Sequence, residues 1–185
     1  MSSFKQWFSS GFASPAPSVV KRAVVRRNSL HDGTFVETGT FFGDTSASAA
    51  KYSKAVVTIE PAKTLYDAAV ARFAHMPAVS VINGSSEDVF PQLLPTLDGP
   101  VTFWLDGHYS GGVTHLGSSL TPLAAELECL SQHIDRFHPL VVMVDDIRAL
   151  FGSPDYPSIA FVLGWADRHK MTWHIEHDIL VMVKD

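Results

Sequence analysis

FVETGTFFGDTS, residues 35–46, is the stretch that decides the fold. Its first residues favour a β-strand that ends at Glu37, and a turn containing Gly39 and Gly43 then leads into a helix near Asp44. In an open parallel sheet, ligands bind beyond the carboxyl ends of the strands, beside such turns. The stretch therefore predicts a ligand site at the first strand-to-helix turn, with a tight turn that binds nothing as the alternative.

Short apolar runs recur along the chain outside this stretch. They begin near Thr34, Ala55, Ala78, Pro100 and Pro139, and a helix-like segment follows each of them. This alternation predicts βαβ units with helices on both faces of a parallel sheet. The tail, TWHIEHDILVMVKD, has two strand-like runs with no room for a helix, so we expect an antiparallel hairpin there. The predicted fold is α/β: a Rossmann-like three-layer sandwich whose seven-stranded, mostly parallel sheet ends in an antiparallel β-hairpin.

Length and composition limit the organisation of the chain. At 185 residues and 46% hydrophobic content, it can form one domain with a core, and it is not a disordered chain. We expect residues 1–33 to form an irregular N-terminal arm and a basic helix, and residues 34–185 to form the domain. The apolar runs are far shorter than the roughly 20 residues of a membrane span. With one cysteine and no apolar leader, we expect a cytoplasmic protein without a membrane partner.

Charge is distributed unevenly between the two parts of the chain. Residues 1–33 carry five basic residues and one acidic residue, whereas the remainder has nine basic and eighteen acidic residues. Because phosphate neutralisation needs a basic surface, we do not expect the acidic remainder of the chain to be a general binder of nucleic acid. The basic cluster at residues 21–27 is either a solvated helix face or a contact for RNA or anionic lipid. The oligomeric state stays open, with a homodimer as one alternative.

Polar residues also follow the second and third strand-like runs. Glu60 closes the run AVVTIE, where an acidic side chain can accept hydrogen bonds from both hydroxyls of a ribose; an exposed strand-end glutamate is the alternative. Gly84, Ser85 and Ser86 follow the third run and could meet an adenine edge or cap a helix. The glycine spacing in residues 39–43 is Gly-x-x-x-Gly, which argues against a dinucleotide site.

Three aspartates follow the fourth and fifth runs. Asp106 ends VTFWLD, and Asp145 and Asp146 end VVMVDD. Neighbouring parallel strands would bring these carboxylates together, an arrangement that is unfavourable unless a cation neutralises them. Oxygen ligands favour Mg²⁺ or another hard divalent cation, so the trio predicts a metal site, with helix-capping aspartates as the alternative. His108, beside the trio, has a suitable ordinary pKa for a general base.

Together these motifs resemble the class I S-adenosylmethionine-dependent methyltransferases, over residues 34–185. FVETGTFFGDTS resembles their first motif, VVTIEP their ribose-binding strand end, INGSSED their adenine-side turn and WLDGH their fourth motif. The glycine turn and the aspartate trio are similar to the metal-dependent O-methyltransferases of the catechol and macrolide-sugar types. The catechol type has a lysine just after its first metal aspartate, whereas Gly107 stands there in this chain.

The resemblance implies S-adenosylmethionine as the cofactor, a divalent cation such as Mg²⁺, and methylation of a small-molecule hydroxyl. Asp106, Asp145 and Asp146 would hold the metal, and Asp106 and His108 would be the catalytic residues. A catalytically silent binding module and a nucleotide-dependent oxidoreductase are the alternatives. The implied cofactor-binding residues are Glu37, Thr38, Gly39, Thr40, Phe41, Gly43, Thr45, Glu60, Pro61, Gly84, Ser85, Ser86 and Asp106.

Overall fold

In a computed structural model, which describes residues 3–107 and 121–185, seven strands form one sheet in the order β3-β2-β1-β4-β5-β7-β6. The first five strands run parallel, and β7 lies antiparallel between β5 and β6. This arrangement confirms the mostly parallel sheet and its antiparallel hairpin. The strands are β1 (Thr34–Thr38), β2 (Ala55–Glu60), β3 (Val79–Asn83), β4 (Gly99–Leu105), β5 (Phe137–Val144), β6 (Thr172–Glu176) and β7 (Ile179–Lys184).

Helices connect the strands, and the part of the chain that is described holds seven α-helices and three short 3₁₀ helices, the latter at residues 94–96, 134–136 and 147–151. None of these helices is long and apolar enough to cross a membrane. The α-helices are α1 (Ser3–Ser9), α2 (Ser18–Asn28), α3 (Asp44–Ala49), α4 (Lys63–Phe73), α5 (Ser86–Leu93), α6 (Leu123–Ser131) and α7 (Ile159–Arg168).

Alternation along the strands explains the three layers, because successive strand residues point to opposite faces of the sheet. Val36 and Phe103 lie in the core on the face covered by α5, α6 and α7. Phe35 and Trp104 lie in the core on the other face, which α2 and α3 cover. The predicted three-layer sandwich is therefore confirmed, and Trp104 belongs to the core, with 2% of its surface exposed.

The N-terminal segment differs from its prediction as an irregular arm. Residues 3–9 form the helix α1, and Trp7 is buried between the rings of Phe12 and His177 at centroid distances of 4.9 and 5.3 Å. His177 lies at the turn of the β6–β7 hairpin. Aromatic packing against this distant turn orders the segment, and local sequence patterns do not reveal such a contact. The boundary at residue 33 stays a prediction.

Strand order also places the site. Strands β2 and β3 lie on one side of β1, and β4 and β5 lie on the other, so the direction of winding reverses between β1 and β4. A crevice opens beyond the carboxyl ends of the strands at such a reversal, because the flanking helices go to opposite faces. In this chain Gly39 follows the end of β1 and Asp106 follows the end of β4, and both are predicted site residues.

Candidate functional site

A cavity of about 620 Å³ opens at these strand ends. Twelve of the thirteen predicted cofactor residues line it; Gly84 does not, and binding by the twelve stays a prediction. The twelve are Glu37, Thr38, Gly39, Thr40, Phe41, Gly43, Thr45, Glu60, Pro61, Ser85, Ser86 and Asp106.

Glu60 is held rigidly at the end of β2. One carboxylate oxygen accepts a hydrogen bond from the Phe41 N–H at 2.8 Å, and the other accepts one from the Ala62 N–H at 2.9 Å. The residue is 3% exposed, so it is not the exposed strand-end glutamate of the alternative interpretation. An ionised carboxylate has about four acceptor positions, which leaves lone pairs for a ligand hydroxyl.

Glu37 is buried at the end of β1, and only 2% of its surface is exposed. Its carboxylate accepts hydrogen bonds from the Thr58 hydroxyl at 2.7 Å and from the Ser46 hydroxyl. Burial raises the pKa of Glu37 to about 8, with the charges of Asp106 and Glu60 adding to the rise, although the two hydroxyls oppose it. The ionised form is disfavoured there, and a positively charged ligand group in this part of the cavity would stabilise it and lower the pKa of Glu37.

Two glycines let the first turn fit between its neighbours. At Gly39, φ is +83°, and an added Cβ would lie 2.7 Å from the main-chain oxygen of Asp106. At Gly43, φ is +77°, and a Cβ would lie 2.7 Å from the ring of Phe73. A side chain at either position would therefore combine an unfavourable backbone conformation with a collision. The absence of a side chain at Gly39 lets the ends of β1 and β4 approach each other, and residues at both ends line the cavity.

Ser85 has the helix-capping geometry that the sequence left as one of two alternatives. Its hydroxyl accepts a hydrogen bond from the Asp88 N–H at 3.2 Å and donates one to the Asp88 carboxylate at 2.7 Å. Ser86 begins α5 and is buried. Both serines also line the cavity, so capping is confirmed while contact with an adenine stays a prediction.

Asp145 and Asp146 converge on one side of the cavity. They follow β5, and Asp146 has a φ of +52°, which turns its side chain toward that of Asp145 although adjacent strand residues point apart. Lys21 of α2 donates hydrogen bonds to both carboxylates, at 2.6 Å to Asp145 and 2.7 Å to Asp146. Asp146 occupies the N-cap position of the 3₁₀ helix at residues 147–151, but its side chain makes no capping hydrogen bond.

The electrostatics of the aspartate pair are those of a crowded, buried site. Burial raises the pKa of Asp145 to about 7, and the charges of Asp106 and Asp146 raise it further than Lys21 lowers it. Arg148 donates to Asp146 at 2.8 Å and also pairs with Asp178. Two fixed cations thus face the pair.

The predicted metal site at Asp106, Asp145 and Asp146 receives no support. Within residues 3–107 and 121–185, no group of three His, Cys, Asp or Glu side chains is arranged to hold a metal ion. The physical reason is Lys21, whose ammonium takes the position between two of the three carboxylates and would repel a divalent cation. The predicted base His108 lies outside the described residues.

The sequence motifs did not predict the wall of the cavity that α2 provides. Lys21, Arg22 and Val25 line the cavity from this helix. A signal was present, because Lys21 lies three and four residues before Val24 and Val25, which are buried. Residues at that spacing share one helix face, so Lys21 points inward.

Comparison with known proteins reveals the fold. No protein-family model and no curated protein matches the sequence. Among solved structures, an rRNA methylase from Streptococcus thermophilus matches with a TM-score of 0.55 at 15% identity, over 93% of this chain and 98% of that chain. This is the class I methyltransferase fold.

Two further structures with the methyltransferase fold show its range. A candidate methyltransferase from Streptococcus mutans, in complex with S-adenosylhomocysteine, matches with a TM-score of 0.58 at 13% identity, over 91% of this chain and 97% of that chain. A candidate caffeoyl-CoA O-methyltransferase from Staphylococcus aureus matches with a TM-score of 0.54 at 15% identity, over 100% of this chain and 93% of that chain. The identities are low, so these likenesses establish the fold alone.

Proposed function

We propose that this protein is an S-adenosylmethionine-dependent methyltransferase that acts on a hydroxyl oxygen of a small molecule. The observation that carries the proposal is the acidic lining of the cavity, whose described residues include seven acids and three bases, so that acids remain in excess even when Glu37 is protonated. S-adenosylmethionine carries a sulfonium and an ammonium and is favoured in acidic surroundings, whereas the pyrophosphate of a dinucleotide is repelled by them.

The residues fit the parts of this donor. Glu60, already fixed by two main-chain N–H groups, has lone pairs left for the ribose hydroxyls. The carboxylate of Glu37 lies beside the turn at Gly39, where a positive ligand group would stabilise its ionised form. Ser86 lines the part of the cavity that we assign to the adenine of the donor. When bound, S-adenosylmethionine supplies an electrophilic methyl group on sulfur.

Transfer to oxygen needs alignment and removal of one proton. A lone pair of the acceptor oxygen forms the new bond to the methyl carbon, the carbon–sulfur bond breaks, and its electron pair stays on sulfur. The hydroxyl proton passes to a base, for which Asp106, at the end of β4 on the cavity wall, is our candidate. His108 remains the second candidate from the sequence.

RNA as the acceptor is a weaker proposal. The S. thermophilus protein is an rRNA methylase, but three of the four basic residues of α2 in this chain lie beside acidic partners within the chain. Lys21 contacts Asp145 and Asp146, Arg22 lies 3.9 Å from an acidic side chain of α3, and Arg27 pairs with Glu176. These pairs reduce the positive charge that α2 offers to phosphates.

Calorimetric titration of the full chain with S-adenosylmethionine, S-adenosylhomocysteine and NAD⁺ tests the donor. We expect both adenosyl compounds to bind at one site and NAD⁺ to give no heat, because the cavity is acidic. Binding of NAD⁺ in preference to S-adenosylmethionine, or of neither, would contradict the proposal.

The acceptor class is tested by incubation with S-adenosylmethionine carrying a tritiated methyl group. One arm contains a panel of small hydroxyl compounds, including catechols and sugars, and the other contains ribosomal RNA. We expect label in small molecules only. Label in RNA would show that the acceptor is RNA and not a small molecule. Donor binding without any labelled product would favour the catalytically silent binding module.

A further inference from the structure

Lys21 contacts two aspartates that lie 124 and 125 positions away in the sequence, and all three residues line the cavity. Its ammonium lies 2.6 Å from a carboxylate oxygen of Asp145 and 2.7 Å from one of Asp146. The side chains are 18%, 3% and 14% exposed for Lys21, Asp145 and Asp146, so the cluster is largely shielded from water. A shielded pair of carboxylates is strongly destabilised without a cation, which makes this ammonium a structural requirement.

The hydrogen-bonding capacity of Lys21 is not used up by the aspartates. An ammonium group has three N–H donors, and the contacts to Asp145 and Asp146 use two of them. Lys21 also lines the cavity. One donor therefore remains for an oxygen atom of a molecule bound there.

Positive charge around Asp146 argues against a metal ion in addition to Lys21. Arg148 donates to the same oxygen of Asp146 at 2.8 Å, so two fixed cations already contact this carboxylate. A divalent ion at the pair would have to displace Lys21 and leave the ammonium without its two partners. That exchange costs partial dehydration of the metal ion and the two charge-assisted hydrogen bonds of the ammonium.

We infer that Lys21 is a built-in counter-ion that occupies the cation position at Asp145 and Asp146, so that acceptor binding in this cavity needs no divalent metal. Lys21 neutralises the two carboxylates and presents its remaining N–H to the acceptor oxygen. The assignment of an acceptor oxygen rests on the proposed function, whereas occupation of the cation position does not.

Mn²⁺ serves as the probe in calorimetric titrations of the chelator-treated full chain. We expect the unsubstituted protein to show no binding up to about 1 mM, the weak limit of protein cation sites. Lys21→Met keeps an unbranched, flexible side chain that ends at Cε and removes the ammonium, and this variant should bind Mn²⁺ with a dissociation constant of about 0.1–1 mM. The matched control is Arg26→Ala, which removes one positive charge from an exposed position of the same helix and should gain no Mn²⁺ binding.

Two results would overturn the inference: Mn²⁺ binding by the unsubstituted protein, or no gain of Mn²⁺ binding in folded Lys21→Met. If Lys21→Met does not fold, the unsubstituted protein and Lys21→Arg, which keeps the charge, still decide the question, since Mn²⁺ binding by either contradicts it. A parallel titration with S-adenosylmethionine separates the two claims. Its failure would remove the proposed function and leave the Mn²⁺ result to decide the role of Lys21.

Discussion

The two halves of the cavity are built in different ways. The half at β1 and β2 carries Glu37 and Glu60, and every described hydrogen-bond donor to these two carboxylates lies within 21 positions along the chain. The donors are the hydroxyls of Ser46 and Thr58 and the main-chain N–H groups of Phe41 and Ala62. The half at β5 depends on a contact between Lys21 and Asp145, which are 124 positions apart. Residues that are close in sequence form a motif that can be recognised from the sequence. A cation supplied by a remote helix alters the charge at the aspartates, and the local sequence around them gives no sign of it.

The largest expected effect concerns the acid buried in the β1 half. The folded protein holds the proton of Glu37 up to about pH 8, whereas the unfolded chain releases it near the ordinary value of 4.5, so stability falls as pH rises between these values. One pKa unit corresponds to about 1.4 kcal/mol, which makes the loss on the order of 5 kcal/mol over this pH range. Glu37→Gln keeps an acceptor for both hydroxyls and should flatten the decline. Urea unfolding at pH 5 to 9 measures this, and parallel curves for the two proteins would contradict it.

Gly39 joins the two halves, and its substitution should have the next largest effect. Gly39→Ala places a Cβ 2.7 Å from the Asp106 oxygen at a φ of +83°, and we expect a loss of about 3 kcal/mol in unfolding free energy. Gly99→Ala is the matched control, because φ is +76° there but no atom lies within 4 Å of the added Cβ. Equal losses of unfolding free energy in the two variants would show that the close approach of β1 to β4 does not exclude a side chain at position 39.

Removing the charge of Lys21 tests the remote half. Lys21→Met leaves Asp145 buried without its cation and should lower the unfolding free energy by about 2 kcal/mol, less than for a fully buried pair because Lys21 is 18% exposed. Arg27→Ala, on the same helix, breaks an ion pair in which the arginine is 62% exposed and should cost less than about 1 kcal/mol. Thermal and urea unfolding measure both, and an equal cost would mean that the aspartate pair does not need Lys21.

The smallest expected effect is on ligand affinity in the β2 part of the cavity. Glu60→Gln removes the negative charge that would accept the ribose hydroxyls, and affinity for S-adenosylmethionine should fall about tenfold, or about 1.4 kcal/mol. Asp67→Asn, at an exposed position of α4, controls for the loss of one negative charge. Equal affinities of the two variants in calorimetry would contradict the assignment of Glu60 to the ribose hydroxyls.

Sequence patterns were sufficient for the sheet and for the β1 half of the cavity. The periodic apolar runs predicted the parallel strands, and the turn after Glu37 predicted where a cavity opens. They were insufficient at Asp145 and Asp146, where three nearby acids suggested a metal. The cation there comes from α2, which the sequence placed outside the main domain, and a salt bridge across the chain leaves no local pattern. The helical order of α1 was missed for the same reason.

A crystal structure of the full chain with S-adenosylhomocysteine and MnCl₂, with anomalous data at the manganese edge, tests the central claim most directly. The account predicts the ribose at Glu60, Lys21 still in contact with Asp145 and Asp146, and no anomalous peak between these carboxylates. A manganese peak at the aspartates with Lys21 displaced, or the ligand bound outside the cavity, would contradict it.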